Sequence, residues 1–240
     1  MKKFDNLAEL YNESLEWPYR KELELPTIKN WLGDTRSLKI LDYGCGAGGI
    51  SRWLANQRCQ QVVGYDSSIG MINSAQMHEI KEPLNIEYFS ELDDLTHHQF
   101  DIVVAIYVLP YATNETHLLS LLKSMYRTLT PQGKIIAITL SPDFSADPDY
   151  YLPYGFQLIE SKPRHDGSCV DLILYTGQKR YTLTAYYYAM QTLENTFLHA
   201  GFIHVSTLCH STSSLEKDPS LFHYIQCPHT VIITATKTIP

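Results

Sequence analysis

At 240 residues, 44% hydrophobic and 19% charged, the chain has the composition of a globular protein that can bury a sizeable core. It holds no run of about 18 apolar residues of the kind that crosses a bilayer. Its formal charge of -7 argues against a general nucleic-acid binder, because phosphate contact draws on clustered Lys and Arg. Cys45, Cys59, Cys169, Cys209 and Cys227 are odd in number and contain no CxxC pair. Neither a disulfide framework nor a thiolate zinc site is indicated, and a reduced compartment is expected. The opening MKKFDNLAELYNESLEW places Asp5, Glu9, Glu13 and Glu16 where a secretory signal would be apolar, so cytoplasmic residence is the expectation.

Residues 4–32 read as a helical arm of two helices divided near Trp17 and Pro18. From 38 to 140 short β-rich runs alternate with helical segments, the signature of a parallel sheet covered by helices. The expected strands are 38–44, 60–66, 85–89, 100–108 and 133–140. Between them, Ile50, Trp53 and Leu54, then Ile69, Ile72 and Ala75, then Leu118, Leu121, Leu122, Met125 and Leu129 recur at helical spacing. TPQG at 130–133 reads as a turn before the fifth strand. His97 and His98 are adjacent rather than four apart, which suits a surface loop and not a metal site.

Residues 141–155 hold three prolines and read as irregular; 157–177 reads as a hairpin around His165 to Ser168, a surface turn. Residues 184–202 resemble a helix stopped by Gly201. FIHVSTL at 202–208 and HTVIITATK at 229–237 are two closing strands that could pair antiparallel at the sheet edge. The tyrosines clustered at 150–154, 175–181 and 186–188 fit either a half-buried aromatic hairpin or a pocket for a planar substrate.

The chemistry concentrates in KILDYGCGAGGISRW, residues 39–53. Gly44, Gly46 and Gly49 satisfy GxGxxG, whereas Gly44, Gly46 and Gly48 satisfy GxGxG, so a dinucleotide site and another nucleoside site both remain in play. Glycines here let backbone approach a ligand, and the following helix aims its amides at the same place. Asp42 lies two positions before Gly44, where a carboxylate repels a pyrophosphate and prefers a cation. Asp66, 22 residues after Gly44, can accept both hydroxyls of a ribose, and Met71 one helical turn on can pack against an adenine. Cys45 reads as a small turn residue rather than a nucleophile.

LDYGCGAGG, VVGYDSSIGMINSA, FDIVVAIYVLPYA and TLTPQGKIIAIT, in this order and spacing, resemble the successive motifs of class I S-adenosylmethionine-dependent methyltransferases over about residues 36–140. FDNLAELYNESLEWPYRKE resembles the N-terminal arm of small-molecule members, and with SPDF and YGF it is loosely similar to toxoflavin-pathway N-methyltransferases. The resemblance implies an α/β fold: a Rossmann-like seven-stranded sheet with helices on both faces, an N-terminal helical arm and a β-rich insertion after strand 5. The implied segments are the arm (1–35), a cofactor-binding core (36–140), an inserted substrate-side region (141–185), and a final helix with closing strands (186–240).

It further implies S-adenosylmethionine as cofactor and S-adenosylhomocysteine as product. Asp42, Gly44, Gly46 and Gly48 would surround the methionine end, Asp66 would hold the ribose, and Ser67 and Met71 would border the adenine. Ala105, Ile106 and Tyr107 would lie beneath the sulfonium. Where the family often has a Gly-Asp pair after strand 3, this chain has Ser90, Glu91, Leu92 and Asp93; Glu91 is the expected adenine contact, with Asp93 its rival. Tyr107, Tyr11 and Tyr19 are the candidates for positioning substrate. The reaction expected is methyl transfer to nitrogen or oxygen of a small molecule, nitrogen marginally ahead, by positioning rather than by a triad. The expected partner is a small molecule, with neither nucleic acid nor membrane, and the oligomeric state stays open. An NAD-dependent oxidoreductase and a S-adenosylmethionine-binding protein without turnover are the rivals.

Overall fold

The structure is a computed structural model that describes residues 14–95, 99–176, 179–211 and 218–238. Its centre is a seven-stranded sheet in the order β3-β2-β1-β4-β5-β10-β9. The strands are β1 (Lys39–Tyr43), β2 (Gln61–Tyr65), β3 (Glu87–Phe89), β4 (Phe100–Ile106), β5 (Leu129–Leu140), β9 (Phe202–Leu208) and β10 (Thr230–Lys237). The first five run parallel; β10 is antiparallel to both β5 and β9. Side chains alternate across these doubly covered strands. Leu41, Val63, Val103, Ala105, Ile135 and Ala137 enter one core layer, and Ile40, Val62, Ile102, Val104, Ile136 and Ile138 the other.

The first layer is closed by α4 (Glu115–Thr128) and α5 (Met190–His199), the second by α1 (Leu25–Leu32), α2 (Gly49–Ala55) and α3 (Ile69–Lys81). Helix α4 buries Leu118, Leu122 and Met125, spaced four and three apart, each worth about 1.5–3 kcal/mol removed from water. It starts where Asn114 Oδ1 accepts the His117 amide at 2.9 Å; α3 starts where Ser68 Oγ accepts the Met71 amide at 3.3 Å. Gly201, at φ +105°, ends α5. In the arm a 3₁₀ turn at Ser14–Glu16 precedes a π turn at Arg20–Glu24 and then α1, so the second expected helix is locally widened, while residues 4–13 of the first expected helix lie outside the described residues.

Several boundaries differ from the sequence expectation. TPQG is not a turn outside the sheet but a bulge inside β5. Phe100 and Ile102 on β4 face Leu129 and Lys134, so the extra residues loop out around Gln132 at φ +64°. Residues 184–186 are not helical: they end β8 (Lys179–Tyr186), the third strand of a separate antiparallel sheet with β6 (Phe156–Glu160) and β7 (Cys169–Thr176). The pleat alternates Leu183 and Ala185 inward here, and the helix begins only at Met190. Helix α6 (Leu221–Gln226) lacks any sequence expectation because its single turn buries only Leu221 and Tyr224. His165 is exposed in the β6–β7 connection, and His97 and His98 lie outside the described residues. No helix among the described residues is long and apolar enough to cross a membrane.

Candidate active site

The carboxyl ends of β1, β2 and β4 surround a cavity of about 460 Å³. The register that sets Asp42 beside Gly64 and Val104 delivers its side chain to the cavity wall, where it is 2% exposed. Ser51 Oγ on α2 donates to Asp42 Oδ2 at 2.6 Å. Desolvation outweighs that bond, and with the Asp66 charge nearby the carboxyl is pushed up to about 7. A cation placed in the cavity would offset the burial of its charge.

Beyond Tyr43 the chain doubles back. Gly44 and Cys45 amides both donate to the Tyr65 carbonyl, at 2.7 and 2.9 Å, which ties the turn to the end of β2. Gly44 sits at φ +77°, and a Cβ there would run into the Val108 Cγ2 methyl. Asp66 locks the turn from the other side: Oδ2 accepts the Gly46 amide at 2.9 Å and Oδ1 accepts the Ser68 amide at 2.8 Å.

Gly44, Gly46, Asp42, Asp66, Ser67, Met71, Ile106 and Tyr107 all line this one cavity. Gly48, Ala105 and Glu91 are not on its wall. A Cβ on Gly48 would stand 2.5 Å from the Tyr88 hydroxyl oxygen, so its bareness accommodates the Tyr88 ring behind the turn. Ala105 points into the core beneath α4, its neighbour Ile106 being the one that alternation turns to the cavity. Glu91 and Asp93 are exposed, and between them Leu92 lines the wall. Cys45 lines it too, with burial and two nearby carboxylates holding its thiol well above the usual range, in keeping with no nucleophilic role. Tyr11 lies outside the described residues.

Tyr107 is the hinge of the site. It follows β4 at φ +58°, a conformation costing a bulky L-residue roughly 1–2 kcal/mol, and its amide donates to the Ile138 carbonyl at 2.8 Å. Its hydroxyl donates to Glu24 Oε1 at 2.6 Å, and the Arg20 guanidinium lies 4.7 Å from its ring centroid. Burial raises the Glu24 carboxyl, and the neighbouring Arg20, 3.6 Å away, opposes the rise. Arg20, Tyr107 and Tyr111 also border a second, narrower cavity of about 60 Å³, which Tyr19, Trp17 and His229 line. Tyr19 therefore stands in that second cavity, stacked 5.0 Å from Tyr224, and not beside Asp42.

Sequence reasoning missed Arg20, Glu24, Tyr111 and His229. Arg20 and Glu24 are four apart on the arm, and that spacing was the one available signal. His229 converges on them from the start of β10, which no local pattern reveals. Among the described residues no cluster of His, Cys, Asp or Glu is disposed to hold a metal ion.

Residues 40–133 match the methyltransferase-domain family model. Over 123 residues the chain is 29% identical to the ubiquinone biosynthesis O-methyltransferase of Pseudomonas entomophila, covering 48% of this chain and 51% of that protein. The chain thus spans about half the length of the curated relatives it matches. Among solved structures, a S-adenosylmethionine-dependent methyltransferase from Mesorhizobium loti superposes with a TM-score of 0.61 at 19% identity, covering 89% of this chain and 97% of that one. Magnesium protoporphyrin IX methyltransferase from Synechocystis gives 0.55 at 16% identity, covering 99% and 86%. The match to the methyltransferase-domain model thus covers residues 40–133, and the chain as a whole shares the fold of the solved S-adenosylmethionine-dependent methyltransferases on which it superposes.

Proposed function

We propose that the protein transfers a methyl group from S-adenosylmethionine to oxygen or nitrogen of a small molecule. The observation that carries this reading is the pairing, in one cavity, of a buried carboxylate before a glycine turn with a second carboxylate at the end of the next strand. Its volume of about 460 Å³ lies in the roughly 300–1,000 Å³ range of small-molecule sites. Asp42 disfavours a pyrophosphate over the turn and suits an onium ligand, Asp66 stands on the same wall at the end of β2, where a ribose would lie, and Met71 and Ile50 offer apolar walls. The residues present fit the cofactor. The names of the curated relatives support oxygen as the methylated atom.

When bound, S-adenosylmethionine supplies an electrophilic methyl group on a positively charged sulfur. The protein's own part is positioning and exclusion of water. Asp42, fixed by Ser51, holds a negative charge at the methionine end; Asp66 fixes the turn and the ribose together. Tyr107, braced by Glu24 and the Ile138 carbonyl, forms the partition between the two cavities and orients whatever crosses it. Calorimetric titration with S-adenosylhomocysteine and with NADH tests the reading. Saturation by the first alone is expected; saturation by NADH alone would replace it with the oxidoreductase alternative. Incubation with labelled S-adenosylmethionine and a metabolite extract then separates a catalyst from a binding protein.

A further inference from the structure

We propose that α4, rather than an acid after β3, recognises the adenine of the cofactor, and that His117 is the specificity-determining residue, its Nε2–H donating to adenine N1. The proposal rests on the methyltransferase reading and adds to it how the base of that cofactor is chosen. The larger cavity does not end at the glycine turn. It continues over the ends of β1 and β2 on the α4 side of the sheet, where Tyr43, Tyr65, Leu92, Leu121 and His117 line it. Tyr107 follows β4, Asp42 lies on β1, Asp66 follows β2 and Leu92 stands just past β3, in the order in which those strands neighbour one another. A nucleoside whose ribose meets Asp66, with its charged end toward Asp42, therefore carries its base outward to the lobe between Leu92 and α4.

Helix α4 presents His117, Ser120, Leu121 and Ser124 to this lobe, three and four positions apart and so on one face, beside the stripe of Leu118, Leu122 and Met125 that it buries in the core. Glu91 and Asp93 are exposed and off the wall, so the carboxylate expected to meet the base is not there to read it. Ser124 is already engaged: its hydroxyl donates to the Leu121 carbonyl at 2.7 Å and accepts from the Tyr43 hydroxyl at 2.7 Å. His117 is held differently. Its Nδ1 accepts the Thr113 amide at 3.3 Å, which fixes the ring and leaves the ring proton on Nε2. Thr113 is off the wall, so the opposite edge of the ring, which bears Nε2, is left to meet the lobe. A hydroxyl donates or accepts and so reads a base poorly, whereas a nitrogen held as a donor reads it well. Adenine N1 is a bare acceptor. The N1 of hypoxanthine carries a hydrogen, and two donors would then face each other with the bond unmade.

The test is equilibrium binding of S-adenosylhomocysteine and of S-inosylhomocysteine, its deaminated analogue, to the full chain, read by calorimetry. The adenosyl compound should bind about tenfold more tightly, the worth of one neutral hydrogen bond. His117→Phe keeps a ring without a donor and should bring the ratio close to one by weakening the adenosyl compound. His117→Gln, whose amide can turn either its N–H or its carbonyl to the base, should also bring the ratio close to one, but by strengthening the inosyl compound. A merely structural role for His117 would weaken both ligands alike and leave the ratio standing. Equal affinities in the parent protein, preference for the inosyl compound, or a ratio that survives His117→Phe would each overturn the proposal while S-adenosylhomocysteine binding, and with it the methyltransferase reading, stands. If S-adenosylhomocysteine itself fails to bind the parent protein, that reading falls and the proposal falls with it.

Discussion

If the larger cavity holds S-adenosylmethionine as proposed, Asp42 makes its affinity a function of pH in a way that can be worked out beforehand. Its carboxyl is raised to about 7 by burial. A ligand carrying an ammonium group favours the ionised form, so apparent affinity scales with the ionised fraction. That fraction is about one-eleventh at pH 6 and about ten-elevenths at pH 8, and the dissociation constant for S-adenosylhomocysteine should therefore fall about tenfold across this interval, then level off. Calorimetry in buffers of different ionisation enthalpy reads both the affinity and the proton released on binding. Asp42→Asn keeps the shape, loses the charge, and should give a flat profile at the weaker level. A parent profile without slope, or a slope that persists in Asp42→Asn, would refute the reasoning. The same proton bears on the ligand-free fold. The folded state keeps it up to about 7, whereas an unfolded aspartate releases it near pH 4, so stability contributed by the neutral acid is lost as pH rises between those values.

Ser51→Ala removes the hydrogen bond that favours the ionised form of Asp42, so the midpoint of the affinity profile should move to higher pH; a midpoint moving down would contradict the geometry. Gly44→Ala combines a left-handed φ with a Cβ driven into Val108 and should cost about 1–3 kcal/mol in urea denaturation. Adding Val108→Ala should restore only the steric part. Tyr107→Phe withdraws a donor from the buried Glu24 and should destabilise by about 1–3 kcal/mol, measured as a lower urea midpoint at unchanged m-value.

The sheet was legible because its strands announce themselves locally: short apolar runs punctuated by Gly, Asp or Pro, with helical spacing between. Asp42, Gly44, Gly46 and Asp66 were legible as a group because one strand–turn–helix unit and the next strand's end bring them together over a short stretch of chain. What escaped was non-local or decided by packing. The TPQG stretch, expected as a turn, became a bulge because β5 resumes its pairing with β4 beyond it. Tyrosines 186–188 carry no periodicity that separates a strand end from a helix start. The meeting of Arg20 and Glu24 with His229 joins segments more than two hundred positions apart, brought together only by the sheet order.

That order has a consequence for how the molecule is assembled during synthesis. β10 lies between β5 and β9, so the strand emerging last of the seven is an interior one. A nascent chain that has reached residue 225 owns β9 but has nothing for it to zip onto, and the open flank of β5 offers unsatisfied amides and carbonyls to any passing strand. His229 arrives just ahead of β10, so the same event that seals this flank also supplies one wall residue of the smaller chamber. Ribosome-stalled intermediates halted before β10 should thus be sticky and unfinished around the smaller chamber, while the strands and glycine turn that wall the larger cavity are already built.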